Sequence, residues 1–228
     1  AQKEIPQRYP ASGWVEHEPW TQWRRWEPEW RLLDERGRAV PFQLLPSEAM
    51  AGRIPRLLLR IQAAPGALRV LRIERTGGGR VRGGVSADDA VVSNTRGVRL
   101  SAAEGAAHLR AGGLALAPRL ELIEDRSDTW SHGMDRYPEG PARRATWDAL
   151  CAGENGPLMA SLHQSGRVGD SVLHAEWRVY AGEPFIELRL GVHWRERQKA
   201  LKLTLPLQGR PAQRRDGIPG GSLVRPNT

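Results

Sequence analysis

Polar and apolar residues alternate along much of this chain, in runs of strand length separated by turn residues. The clearest run is 185–194. Ile186, Leu188, Leu190, Val192 and Trp194 take one face, and Phe185, Glu187, Arg189, Gly191 and His193 take the other. A period of two predicts a strand with one side in a core. Residues 172–180 form a second such run, and Ala181-Gly182-Glu183-Pro184 supplies the turn that makes the pair a predicted hairpin. Residues 199–207 alternate again, and 156–164, 120–123, 114–116, 97–101 and 90–92 read as shorter strands.

Towards the N-terminus, 31–33 and 39–44 flank the turn signal Asp34-Glu35-Arg36-Gly37. The apolar run 56–63 leads through Pro65-Gly66 into 67–74. These two runs are predicted to pair with each other as a small antiparallel sheet. The slip in alternation between Leu68/Val70 and Leu71/Ile73 suggests a bulge or burial on both sides. Strands at this frequency with few credible helices predict an all-β protein, an antiparallel β-sandwich. Five glycines in 76–84 disfavour regular structure and mark a linker. The predicted organisation is a small β-rich region over 1–76, a glycine-rich linker over 77–84 and the N-terminal portion of a larger, truncated sandwich over 85–228.

Composition narrows the function classes. The net charge is +8, yet the 34 basic residues, all arginine apart from Lys3, Lys199 and Lys202, are scattered among acids. A nucleic-acid footprint would cluster them on one face, so no nucleic-acid partner is expected. No apolar stretch reaches the roughly 20 residues of a membrane helix, and the first residues lack the pattern of a secretory leader. The lone Cys151 points to a reducing compartment or to indifference to oxidation, and is expected to be a buried structural thiol. The six histidines show no i, i+2 or i+4 pairs suited to a metal. Trp14, Trp20, Trp23, Trp26 and Trp30 crowd the N-terminus. The last four are spaced near one face of a helix that Pro19 and Pro28 flank or interrupt, and the alternative is a strand or extended arm whose indoles pack on a neighbouring domain.

The stretch 124–137 stands apart. It gathers Asp125, Asp128 and Asp135 with Trp130, His132, Arg136 and Tyr137. Carboxylates accept hydrogen bonds from sugar hydroxyls, and an indole face stacks on the C–H face of a pyranose. Asp128, Trp130, His132, Asp135 and Arg136 are therefore the candidate substrate-binding residues. The same residues would also suit a polar loop that docks domains. Asp128 and Asp135 lie seven residues apart, a separation that along a loop sets no distance between their carboxyls.

The succession Ser127-Asp128-Thr129-Trp130-Ser131-His132-Gly133, Glu154-Asn155-Gly156-Pro157-Leu158, Tyr180-Ala181-Gly182-Glu183-Pro184, 193–203 and Asp216-Gly217-Ile218-Pro219-Gly220-Gly221 resembles the C-terminal β-sandwich region of the glycoside hydrolase family 38 α-mannosidases, closest to the bacterial type. The resemblance covers most of the chain from about Val91, and the part before it looks like the small β-rich region that precedes the sandwich. It implies a fold similar to galactose mutarotase. The catalytic machinery would lie elsewhere, in an α/β barrel that holds zinc and an aspartate nucleophile for retaining hydrolysis. No His-x-Asp zinc motif is present here. The resemblance thus implies an accessory, inactive part of a cytoplasmic enzyme, with no metal or other cofactor of its own. Its partners would be α-mannosides and the catalytic barrel of the same polypeptide, with homo-oligomerisation left open. The alternative is a free-standing carbohydrate-binding sandwich.

Overall fold

Turn chemistry and alternation produce strands in chain order throughout the computed structural model. It describes residues 11–19, 25–47, 55–77, 81, 83–88, 90–103, 105–127, 132, 140–207, 209, 213–219 and 221–226. In the N-terminal region, β1 (Ala11–His17), β3 (Phe42–Leu45) and β4 (Arg56–Ala63) form an antiparallel sheet in the order β1-β4-β3. The strands β2 (Trp30–Leu33) and β5 (Arg72–Arg75) form a two-stranded ladder.

The apolar run of β4 is explained by burial on both faces. Leu57 and Leu59 pack with Leu32 under Trp26 and Phe42, while Leu58 points the opposite way, against Leu158, Met159 and Tyr180. Each such side chain contributes about 1.5–3 kcal/mol when fully buried.

Two expectations for this region are corrected. The run 67–74 is a strand only from Arg72, and it pairs with β2 rather than β4. Both edges of β4 are taken by β1 and β3, leaving no ladder for it. Leu68 is 84% exposed, so the shifted alternation before Arg72 marks an irregular surface segment.

The second region opens with a meander of β6 (Val85–Ala87), β7 (Val91–Asn94), β8 (Arg99–Ala103), β9 (Ala106–Ala111) and β10 (Leu114–Leu116), paired in sequence. The sequence reading missed β9, whose inward residues include two small alanines, Ala107 and Ala111, beside Leu109. Then come β11 (Arg119–Glu124), β12 (Arg143–Arg144), β13 (Thr146–Trp147), β14 (Cys151–Asn155), β15 (Met159–Val168), β16 (Ser171–Tyr180), β17 (Ile186–His193) and β18 (Lys199–Thr204). The order β13-β15-β16-β17 makes a second large sheet with β14 also on β15, and β12-β11-β18 makes a third. A separate hairpin joins β19 (Gln213–Ile218) to β20 (Gly221–Pro226).

The fold is an all-β antiparallel sandwich. Val92, Val98, Leu100 and Ala107 of the meander face Ala160, Leu162, Ala175, Trp177 and Val179 of the second sheet across one dry core. A further cluster seats Leu120 and Leu122 of β11 on Val168 and Leu173. The two-residue turn Gly169-Asp170, with Gly169 at φ 61°, closes the longest hairpin, β15–β16. The β16–β17 hairpin forms at the turn that the sequence predicts.

Cys151 corrects another expectation, because it is exposed. Edge strand β14 pairs it with His163, on the sheet face turned away from the sandwich core.

Among the described residues no ladder joins β1–β5 to β6–β20, yet the two regions share a core. Gln43 of β3 bridges the N-terminal sheet and the sandwich. Its Oε1 accepts from Leu158 N at 3.0 Å and Met159 N at 2.8 Å, and its Nε2 donates to Met159 O at 2.9 Å. At the end of the glycine-rich stretch, Gly84 N donates to Pro157 O at 2.9 Å.

Candidate functional site

Alternation along β16 and β17 builds the most chemically loaded surface of the molecule. With Ala175, Trp177 and Val179 committed to the core, Glu176, Arg178 and Tyr180 project from the opposite face. The ladder register sets Arg178 opposite Glu187 and Glu176 opposite Arg189, so opposite charges alternate across the strands. On β15 the same face carries Ser161 and His163, opposite Arg178 and Glu176.

The N-terminal sheet covers one end of this face. On β1, Trp14 and Glu16 share a side, and across the ladder they oppose Arg60 and Leu58 of β4. Glu16 is the centre of the arrangement. Its Oε1 accepts from Arg178 Nη1 and, at 2.6 Å, from Arg189 Nη2, while its Oε2 lies 3.0 Å from Arg56 Nη1. Burial pushes the Glu16 carboxyl up, but the hydrogen bond from Arg189 and the charges of Arg178, Arg189 and Arg56 outweigh it and hold the group below its ordinary value. Arg178, only 3% exposed at its side chain, also lies 2.7 Å from Glu176 through Nε, as an ion pair without hydrogen-bond alignment.

Beside this cluster, Tyr180 Oη donates to Glu187 Oε2, and Arg189 Nε donates to Glu187 Oε1 at 2.8 Å. Burial raises the Glu187 pKa, but the bonds from Tyr180 and Arg189 win and keep the carboxyl ionised below its usual range. Burial and the Glu187 carboxylate together push the Tyr180 phenol up to about 12. Trp14 stacks on Tyr180 with centroids 5.0 Å apart, and its Nε1 donates to Glu183 Oε1 at 3.1 Å. Trp14, Glu16, Glu18, Arg56, Tyr180, Glu187 and Arg189 line an open cavity of about 490 Å³.

The sequence reading placed its candidate site elsewhere. Asp128, Trp130, Asp135 and Arg136 lie outside the described residues, and His132 is an exposed turn residue. Besides His132, the root of that loop is described. The Asp125 carboxylate accepts from Ser127 Oγ and, at 3.0 Å, from Ser127 N, which holds its pKa down. Asp125 N donates to Gln198 O at 2.9 Å.

What the reading missed is the Trp14–Glu16 side of β1. It did separate Glu187 and Arg189 from the apolar face of their strand. The remaining signal was the i, i+2 spacing of Trp14, Glu16 and Glu18. Nothing in that spacing says which sheet the residues will meet. A Ser161–His163–Glu176 grouping also occurs, but Ser161 Oγ and Glu176 both lie near the same nitrogen of His163, Nε2, at 3.3 and 3.8 Å. A relay needs the two partners on different nitrogens, so this is no nucleophile.

Residues 117–228 match the family model described as the glycosyl hydrolases family 38 C-terminal domain. No curated protein sequence matched the chain at a significant level. Among solved structures, the chain is similar to a protein in the glycosyl hydrolase family 38 from Enterococcus faecalis. The TM-score is 0.66 at 10% identity, over 96% of this chain and 34% of that one. It is also similar to an alpha-mannosidase from Enterococcus faecalis V583, with a TM-score of 0.60 at 12% identity, over 97% of this chain and 32% of that one. The chain thus spans about a third of the length of these structures. At such identities the likeness is one of fold, and what points to a family is the domain match: residues 117–228 of this chain match the glycosyl hydrolases family 38 C-terminal domain.

Proposed function

We propose that this chain is the accessory β-sandwich portion of a family 38 glycoside hydrolase that cleaves terminal α-mannosides with retention, and that it is not itself catalytic. The domain match over residues 117–228 carries the reading. The chemistry of the charged cavity supports it. A glycosidase of this kind needs one carboxyl kept protonated as general acid beside a second that attacks. Glu16 and Glu187 are both driven the other way, held as anions by arginines and a tyrosine. Among the described residues no three His, Cys, Asp or Glu side chains are grouped to hold a metal.

In this role the ion cluster and the Gln43 bridge fix the N-terminal sheet against the sandwich as one unit. That unit is the partner of a catalytic barrel in the same polypeptide, and Asp128, Trp130, His132, Asp135 and Arg136 are its candidate substrate-binding residues. The test is hydrolysis of an aryl α-mannoside by the purified chain, with and without added zinc. Background rates are expected in both. Turnover that follows the chain through successive columns would refute the non-catalytic assignment.

A further inference from the structure

We propose that the cavity between β1 and β17 binds a neutral sugar through a pair of adjacent hydroxyls gripped by Glu187 and Arg189. The choice of a sugar among neutral polyols rests on the glycoside hydrolase reading. The site itself is argued from its geometry.

The grip follows from counting donors and acceptors. Of the five N–H groups of Arg189, Nε serves Glu187 and one on each of Nη1 and Nη2 serves Glu16. Two donors therefore have no acceptor among the described residues. Each oxygen of Glu187 takes one hydrogen bond, from Arg189 and from Tyr180, so each retains a lone pair. Both side chains reach the cavity, 39% and 33% exposed, and they are locked side by side on one strand face. A guanidinium beside a carboxylate matches two neighbouring hydroxyls, one accepting from nitrogen and one donating to oxygen.

Charge selects against ionic ligands. Glu16, Glu18 and Glu187 face Arg56 and Arg189, and no sign prevails strongly enough to repay desolvation of a charged guest. Trp14, partly exposed and backed by the buried Tyr180 ring, offers an aromatic wall for the C–H face of a ring. The volume of about 490 Å³ lies within the range of small-molecule sites, about 300–1,000 Å³. The arrangement is also preorganised, since β1, β4 and the β16–β17 hairpin already hold every one of these side chains.

The test is titration of the intact chain with methyl α-D-mannopyranoside, followed by NMR at the indole N–H of Trp14, assigned with Trp14→Phe. A saturable shift is expected. Glu187→Gln and Arg189→Lys should each weaken binding at least tenfold while the far-UV circular dichroism remains that of the parent. If either variant fails to fold, mono-deoxy analogues of the sugar are titrated against the parent chain, and at least one should bind tenfold more weakly. No saturable shift, equal binding by the variants, equal binding of all the deoxy sugars, or displacement of the sugar by inorganic phosphate would each overturn the proposal. None of these outcomes bears on the hydrolysis assay, so the two readings fail separately.

Discussion

Gln43 shows what one side chain does in this molecule. It is 6% exposed and satisfies two backbone N–H groups and one carbonyl of the sandwich from a strand of the other region. Gln43→Leu keeps the volume but orphans those buried groups, and a loss of about 3 kcal/mol is expected in urea unfolding. An unchanged midpoint would mean that water replaces the amide. Gly166 is constrained by neighbours rather than by its backbone angles. A Cβ there would stand 2.5 Å from the Trp147 ring and 2.6 Å from the Thr146 carbonyl oxygen. Because a backbone oxygen cannot yield, Gly166→Ala is expected to cost about 1–3 kcal/mol, measured the same way. Neither role was visible in sequence: a glutamine in an alternating run reads as a surface position, and a glycine inside a strand reads as a bulge.

At the scale of elements, the strand most consequential for the site is β1. It brings Trp14 and Glu16 against a charged face that β16 and β17 present without it. Replacing Glu16 by Ala leaves Arg178, at 3% exposure, facing an emptied site. A loss of about 3–5 kcal/mol is expected, with the Trp14 indole resonance displaced as the N-terminal sheet loosens. A native-like Trp14 signal with a full loss of stability would place the damage inside the sandwich instead. The strands β16, β17 and β18 were legible because apolar and polar residues alternate along each of them. The supposed pairing of β4 with the residues after Pro65 was not. A proline-glycine turn fixes a change of direction, whereas partner choice was decided by β1 and β3, which occupy both edges of β4.

For the whole molecule, the seam between the regions contributes to the pH response, beside Asp34, Glu35, Glu124 and Asp125, whose pKa values are also held down by hydrogen bonds. Glu16 and Glu187 have folded pKa values below their ordinary 4.5, so their contribution is present above pH 4.5 and is lost as pH falls through the folded values. Tyr180 moves the opposite way, from 10.0 to about 12, so its contribution is complete below pH 10 and is lost as pH rises towards 12. Urea midpoints should therefore form a plateau between about pH 5 and pH 10 and fall on both sides. Tyr180→Phe should flatten the alkaline limb alone, and an unaltered limb in that variant would assign it to other groups. The shared cluster around Leu58 also predicts one cooperative transition, with Leu58→Ala lowering it as a whole by about 2–5 kcal/mol.

By itself the sequence determined the all-β class, the main hairpin, the separation of Glu187 and Arg189 from the apolar face, and a resemblance to family 38 from about Val91, to which the domain match over residues 117–228 corresponds. These depend on local periodicity, turn chemistry and motif order, all of which are written in neighbouring positions. The tertiary structure alone decided that β4 is sandwiched between two cores and that Glu16 gathers three arginines. It also decided that Trp14 meets Tyr180 across 166 residues of chain to wall a cavity. Each of these joins groups far apart in sequence, and alternation says which face a side chain takes but not which sheet will cover it.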